Sequence, residues 1–227
     1  MSLRKPLILT VVTLLSGIVF GLLSGCASTP DNPHFKTLSE GEITERIEDN
    51  TRNKKIYDGF MNKMDVSATL QTEGVGRALL DQGARIYQWD PSQYANEKSK
   101  AETLRSTKTE MFLSFFVPER KWDDLNKPLT KWKIFLDAGG KRFEGKAVKW
   151  KSNLVEVQSF YPHHTRWSTP YKVTFDVPTR DVENTNSKLT ITGPVGVVQL
   201  EFGPIAMNQS SSEPTPAAAT QPFDTPA

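Results

Sequence analysis

The densest group of side chains that could do chemistry is the segment YPHHTRW, residues 161–167, which carries two adjacent histidines. Imidazole nitrogens bind transition metals, and aromatic rings beside an arginine can stack on a sugar or a peptide. The side chains that could contact a ligand in this way are Tyr161, His163, His164, Arg166 and Trp167. The alternative is structural: Tyr161 and Trp167 close one end of the core, and the two histidines are solvated.

A metal site in this segment is not expected. Adjacent residues of an extended chain point to opposite sides, so His163 and His164 could hold one ion only if the chain curls. The third histidine, His34, lies far away in the sequence, and no carboxylate lies in the segment to complete a ligand set. We therefore expect neither a metal nor another cofactor.

Motifs that mark an enzyme are also missing from the sequence. There is no Gly-x-Ser-x-Gly elbow, no HExxH helix and no phosphate-binding loop. Asp123-Asp124 beside Trp122 resembles a loop more than a pair of acid and base carboxylates. The chain has one cysteine, Cys26, so a disulfide or a zinc site built from several cysteines is excluded. We predict a protein that is not an enzyme.

The surroundings of Cys26 indicate export. Arg4 and Lys5 precede an uncharged apolar stretch at 7–23, which is typical of a secretory signal. The stretch ends in Leu23-Ser24-Gly25-Cys26, which resembles the lipobox of bacterial lipoproteins. The resemblance implies that residues 1–25 are a signal peptide and that the Cys26 thiol receives a lipid after cleavage. An uncleaved membrane anchor and a soluble secreted protein cut elsewhere remain alternatives.

The residue after Cys26 bears on the destination. This residue is Ala27. In Gram-negative lipoproteins an aspartate at this position resembles an inner-membrane retention signal. We therefore expect the outer membrane, with the domain facing the periplasm. The partner at this end of the chain is the lipid bilayer, which is held through the acyl chains.

Charge argues against a nucleic-acid partner. The chain has 28 basic and 26 acidic residues, and removal of Arg4 and Lys5 with the signal leaves 26 of each. A protein that binds nucleic acid is expected to carry a basic patch, whereas these bases are interspersed with acids. We expect no nucleic-acid binding.

Beyond the lipid anchor, the sequence divides into a flexible tether at 26–36, one domain at 37–207, and a disordered Ser/Pro/Thr/Ala-rich tail at 208–227. A helix is predicted over 37–50, where Ile43 and Ile47 share a face. A first strand is predicted over 56–72. Two helices follow over 72–106 and meet at Asp90-Pro91, because aspartate caps a helix and proline suits its first turn.

The rest of the domain alternates between apolar and polar residues and is interrupted by turns. Strands are predicted at 111–117, 131–138, 142–151, 154–161, 171–177, 188–192 and 197–202. This spacing is typical of an antiparallel β-sandwich, so we predict a mainly β fold of immunoglobulin-like architecture, with a helical excursion after the first strand. The segment at 161–167 would connect two of these strands.

Two short sequence segments of the domain, at 167–171 and 189–194, are similar to segments of uncharacterised bacterial lipoproteins. This similarity implies no function. Two functions therefore stay open. The first is an interaction or assembly module that contacts another envelope protein through edge strands or loops. The second is a binder of a small ligand, such as a glycan, through the loop from Tyr161 to Trp167.

Overall fold

The computed structural model describes residues 31–204. Within this range 31% of the residues are helical and 35% lie in strands, which form antiparallel sheets of five and four strands. The expectation of a β-rich chain with two antiparallel sheets is confirmed. The helical share is nearly as large as the strand share, so the fold is mixed rather than mainly β. The predicted signal peptide, Cys26 and the predicted tail at 208–227 lie outside the described residues.

All neighbouring strands run antiparallel. The five-stranded sheet has the order β1-β2-β3-β7-β6 and consists of β1 (Thr51–Asp58), β2 (Met61–Leu70), β3 (Thr109–Phe116), β6 (Lys146–Lys149) and β7 (Thr169–Phe175). The four-stranded sheet has the order β5-β4-β8-β9 and consists of β4 (Lys133–Ala138), β5 (Lys141–Glu144), β8 (Ser187–Gly193) and β9 (Gly196–Phe202).

The α-helices of the described region are α1 (Glu40–Asp49), α2 (Glu73–Ile86), α3 (Pro91–Arg105), α4 (Leu154–Phe160) and α5 (Thr179–Glu183). A 3-10 turn spans Arg120–Trp122. The predicted pair of helices meeting at Asp90 is confirmed: the Asp90 carboxylate accepts from the backbone N–H of Gln93, whose side chain in turn accepts from the N–H of Asp90. The excursion α2–α3 follows a hairpin, β1–β2, rather than a single strand.

The elements form three layers: the helices, the five-stranded sheet and the four-stranded sheet. The five-stranded sheet lies in the middle, so its strand β3 is buried on both faces. Leu113 and Phe115 point into the apolar core between the two sheets, together with Leu136 and Ile191 of the four-stranded sheet. Phe112 points the other way, into a second core closed by α1, α2 and α4. The buried members of that second core are Ile43, Ile47, Ala78, Phe112, Val157 and Tyr161.

The predicted first strand over 56–72 instead covers the end of β1, the turn of a hairpin and all of β2. β1 pairs with β2 from Thr51↔Thr69 to Asp58↔Met61, and Gly59 turns the chain with a φ of 58°. β1 was missed because it is an edge strand whose side chains are largely exposed, so its sequence shows no apolar alternation.

The strand predicted over 154–161 is also wrong, since residues 154–160 form α4. The apolar, β-branched run LVEV suggested a strand. The Asn153 side chain, however, accepts from the Glu156 N–H at 2.8 Å and caps a helix. Helical spacing then places Val157 and Tyr161 together in the second core.

The strand predicted over 142–151 divides at Gly145, where the chain passes from β5 in one sheet to β6 in the other. The Gly145 N–H donates to the Ile134 carbonyl at 2.8 Å. A Cβ at this position would lie 2.7 Å from the Phe175 ring, so the crossing requires glycine.

The described part of the predicted tether, residues 31–36, packs on the domain instead of extending from it. Asn32 is buried there and bonded to the end of α2. The physical reason is that its amide donates to the carbonyl of Ala84 in the last turn of α2 and to that of Trp89, which follows the helix. None of the helices in residues 31–204 is both long and apolar enough to cross a membrane.

Candidate functional site

The segment at 161–167 joins α4 to β7, and its first residue belongs to the second core. The Tyr161 ring is buried and stacks on Phe112, with ring centroids 3.7 Å apart and planes 6° apart. The Tyr161 hydroxyl accepts from Gln71 Nε2 at 3.2 Å. Burial, with a smaller effect of Glu110, raises the pKa of the Tyr161 phenol well above its usual range. Tyr161 is therefore a core residue.

The two histidines stand on the same face of the five-stranded sheet but point to different strands. His164 is buried, and its Nδ1 lies 2.8 Å from the Ser114 hydroxyl on β3. His163 is half-buried, and its Nε2 lies 3.5 Å from the Thr69 hydroxyl on β2. Both rings also present an edge contact to Phe112.

Burial favours the neutral form of both imidazoles. It lowers the pKa of His163 to about 4, with a smaller contribution from the neighbouring His164. It also lowers the pKa of His164. Within the described region His163 Nδ1 is buried without a hydrogen-bond partner. These are the properties of histidines packed into a structure rather than solvated ones.

Arg166 and Trp167 are separated from this group and face solvent, with Trp167 65% exposed. The structure thus brings Tyr161, His163 and His164 together around Phe112 and leaves the other two candidates outside. A ligand in contact with all five side chains is excluded by this arrangement.

The Ser114–His164 hydrogen bond resembles the contact between a serine nucleophile and its histidine general base. Ser114 is only 4% exposed, however, and its hydroxyl lies under the segment, so a substrate has no access to it. No group of three or more His, Cys, Asp or Glu side chains suited to a metal ion occurs among residues 31–204. The pair fastens the segment to β3.

Two buried carboxylates also serve as fasteners, and sequence reasoning missed the first. Asp81 on α2 accepts from the Leu38 N–H at 3.0 Å, from the Tyr94 hydroxyl at 2.7 Å and from Arg77 at 3.2 Å. Burial raises the pKa of Tyr94 to about 12. Asp81 thereby joins α2, α3 and the N-terminal segment; the only sequence signal was Arg77 four residues earlier on the same helix.

Asp123 fastens the long connection between β3 and β4. It accepts from the Thr169 hydroxyl at 2.5 Å and from the Tyr171 hydroxyl at 2.9 Å, and Arg120 lies 3.4 Å away. Asp124 accepts from Thr130 within the same loop. The pair therefore organises a loop, in agreement with its interpretation from sequence.

The most exposed apolar group of the described surface is the tip of the β1–β2 hairpin. Phe60 is fully exposed, Met61 is 71% exposed and Tyr57 is 56% exposed. The positive φ of Gly59 and an ion pair of 3.0 Å between Lys63 and Asp58 define the turn that presents them. The sequence prediction of one continuous strand over 56–72 placed these residues within a strand rather than at a turn.

Shallow depressions elsewhere on the surface do not involve the segment at 161–167. One lies beside Arg105 and Glu183, another beside Gly140 and Phe202, and a third beside Phe143 and Asp176.

Comparisons of the chain with protein-family models, with curated proteins and with solved structures gave no match.

Proposed function

We propose that this chain is a lipid-anchored protein of the bacterial envelope whose folded domain is a non-enzymatic interaction module. The lipobox-like Leu23-Ser24-Gly25-Cys26 supports attachment to a bilayer through the Cys26 thiol. Ala27 supports the outer membrane, with the domain in the periplasm. The two antiparallel sheets support an immunoglobulin-like sandwich architecture, extended by a helical layer.

The observation that carries the interaction role is the apolar hairpin tip. A soluble domain rarely presents a cluster of large apolar side chains unless another molecule covers them, and aromatic residues are favoured anchors of such contacts. Phe60, Met61 and Tyr57 are three such side chains within five residues at a turn held by Gly59, and the pairing of Tyr57 with Asn62 and of Asp58 with Met61 directs Tyr57 and Met61 to opposite faces of the hairpin. We assign the contact with an envelope protein to this tip.

The edge strands of the five-stranded sheet, to which the tip belongs, are less suited to that role. β1 exposes Lys54 and Lys55, and β6 begins and ends with Lys146 and Lys149. Lysines on an edge strand discourage the addition of a foreign strand, since the ammonium groups must stay hydrated. The contact is therefore through side chains of the tip rather than through a shared sheet.

Ligand binding by the segment at 161–167 has less support. Of its five candidate side chains, Tyr161 and His164 are buried, and His163 is half-buried. Arg166 and Trp167 alone are open to a ligand, which is too small a surface to enclose a sugar.

The test is site-specific photo-crosslinking in cells that express the full-length protein. A photoreactive residue replaces Phe60 in one variant and Leu129 in the control, because Leu129 is 90% exposed in a different loop. We expect a discrete crosslinked protein from position 60 and none from position 129. Equal yields at both positions, or no product from position 60, would refute the assignment of the tip.

A further inference from the structure

The chain that leads to Cys26 is fastened to the helical layer by Asn32. Its side-chain amide donates to the Ala84 carbonyl at 2.8 Å and to the Trp89 carbonyl at 2.9 Å, and its Oδ1 accepts from the His34 N–H at 2.8 Å. Asn32 is 6% exposed. Both amide hydrogens and the amide oxygen are thus bonded, which fixes this residue on the α2–α3 junction.

Further contacts fix the residues on either side. Asp31 lies 3.7 Å from Arg85. The Phe35 ring meets Tyr94 of α3 edge to face, with centroids 4.7 Å apart. The Leu38 N–H donates to Asp81, as described above. Residues 31–38, which we term the N-terminal clamp, therefore pack against the folded domain.

Covalent geometry then limits how far the domain can stand from a lipid on Cys26. Four residues lie between Cys26 and Asp31, and the five Cα-to-Cα steps that join them span at most about 18 Å when fully extended. A domain of this size is about 40 Å across. A lipid on Cys26 therefore keeps the α2–α3 junction near the bilayer and excludes the opposite side of the domain from it.

We propose that the α2–α3 junction is the surface that faces the lipid bilayer. The inference rests on the lipid anchor of the proposed function. Tyr87 is 48% exposed at this junction and stacks with Trp89, and its hydroxyl donates to Glu156 of α4 at 3.1 Å. Tyrosine and tryptophan suit the interfacial zone of a membrane, since each joins an apolar ring to a polar group. Val155, which precedes Glu156 in α4, is also exposed, at 76%.

The layered fold places the outer face of the four-stranded sheet farthest from this junction. Gln199 lies there, exposed between the buried Val198 and Leu200 of β9. Gln88 is exposed at the junction itself. These two glutamines give a matched pair of positions for a probe of distance to the membrane.

The test uses the full mature protein in vesicles of phosphatidylethanolamine and phosphatidylglycerol that contain a headgroup-nitroxide lipid. Gln88→Cys and Gln199→Cys variants each carry one thiol-reactive fluorophore, because a lipidated Cys26 cannot react. We expect several-fold stronger quenching at position 88 than at position 199. Combining each variant with Asn32→Ala should reduce that ratio, whereas combination with Asn186→Ala, an exposed asparagine outside the clamp, should not.

Two contrary results are distinguishable. If the protein floats with the vesicles but both positions are quenched equally, or position 199 more strongly, the orientation is overturned and the anchor stands. If Cys26 itself takes up the fluorophore and the protein does not float, the anchor and the orientation both fail.

Discussion

Phe112 contacts three ring side chains of the segment at 161–167. Tyr161 stacks on its face, and His163 and His164 present their edges to it. Trp167 has the same aromatic character but lies in solvent. Their roles are therefore separated by burial, which the sequence of one loop does not reveal, rather than by residue type.

This separation predicts unequal effects on stability of two substitutions six residues apart. Tyr161→Ala removes a fully packed ring and should lower the free energy of unfolding by about 3–5 kcal/mol. Trp167→Ala should change it by no more than about 0.5 kcal/mol, because the ring is mostly solvated. Urea unfolding of the Cys26→Ser form measures both, and equal losses would show that the segment is not divided as described.

The histidines predict a dependence of stability on pH. The pKa of His163 is about 4 in the folded protein, compared with the ordinary value of 6.5 for histidine. Between these values the unfolded chain binds a proton that the folded chain does not, so stability is lost as the pH falls from about 6.5 towards 4. The loss from this residue should be on the order of 1–3 kcal/mol.

Denaturant unfolding at a series of pH values measures this loss. His163→Gln should remove much of the slope, whereas His34→Gln, which changes an exposed residue, should preserve it. A slope that His163→Gln leaves unchanged would assign the pH dependence to other groups.

At the scale of elements, the strands and helix ends that depend on residues close together in the sequence were predictable. The strands β7, β8 and β9 and the cap at Asp90 all follow from local alternation or local hydrogen bonds. β1 and α4 were not predictable in this way. β1 exposes most of its side chains, and the residues of α4 that favour strands are overruled by the Asn153 cap and by burial against Phe112.

The crossing between sheets predicts a contrast between two glycines. Gly145→Ala places a methyl group against Phe175 and Val173 and should lower the free energy of unfolding by about 1–3 kcal/mol. Gly41→Ala in α1 meets no atom within 4 Å and should raise it by up to about 1 kcal/mol, since alanine favours a helix. Thermal unfolding of the two variants measures the contrast; a neutral Gly145→Ala would mean that the crossing does not need glycine.

At the scale of the whole molecule, two proposed contact surfaces lie on different elements of the fold. The N-terminal clamp lies on the helical layer, beside Tyr87 and Trp89, and the apolar tip of β1–β2 projects from an edge hairpin of the five-stranded sheet. A lipid on Cys26 would hold the first surface at a bilayer while the second stays available to a protein partner. Neither surface was visible in the sequence, because each depends on which residues the fold leaves exposed.

The most direct measurement is labelling of cells with an alkyne analogue of palmitate, followed by purification of the protein and mass analysis of its N-terminus. The account predicts a labelled, membrane-bound chain that begins at Cys26, and an unlabelled Cys26→Ser variant. A wild-type chain that takes up no label and leaves the membrane in a salt wash would contradict it.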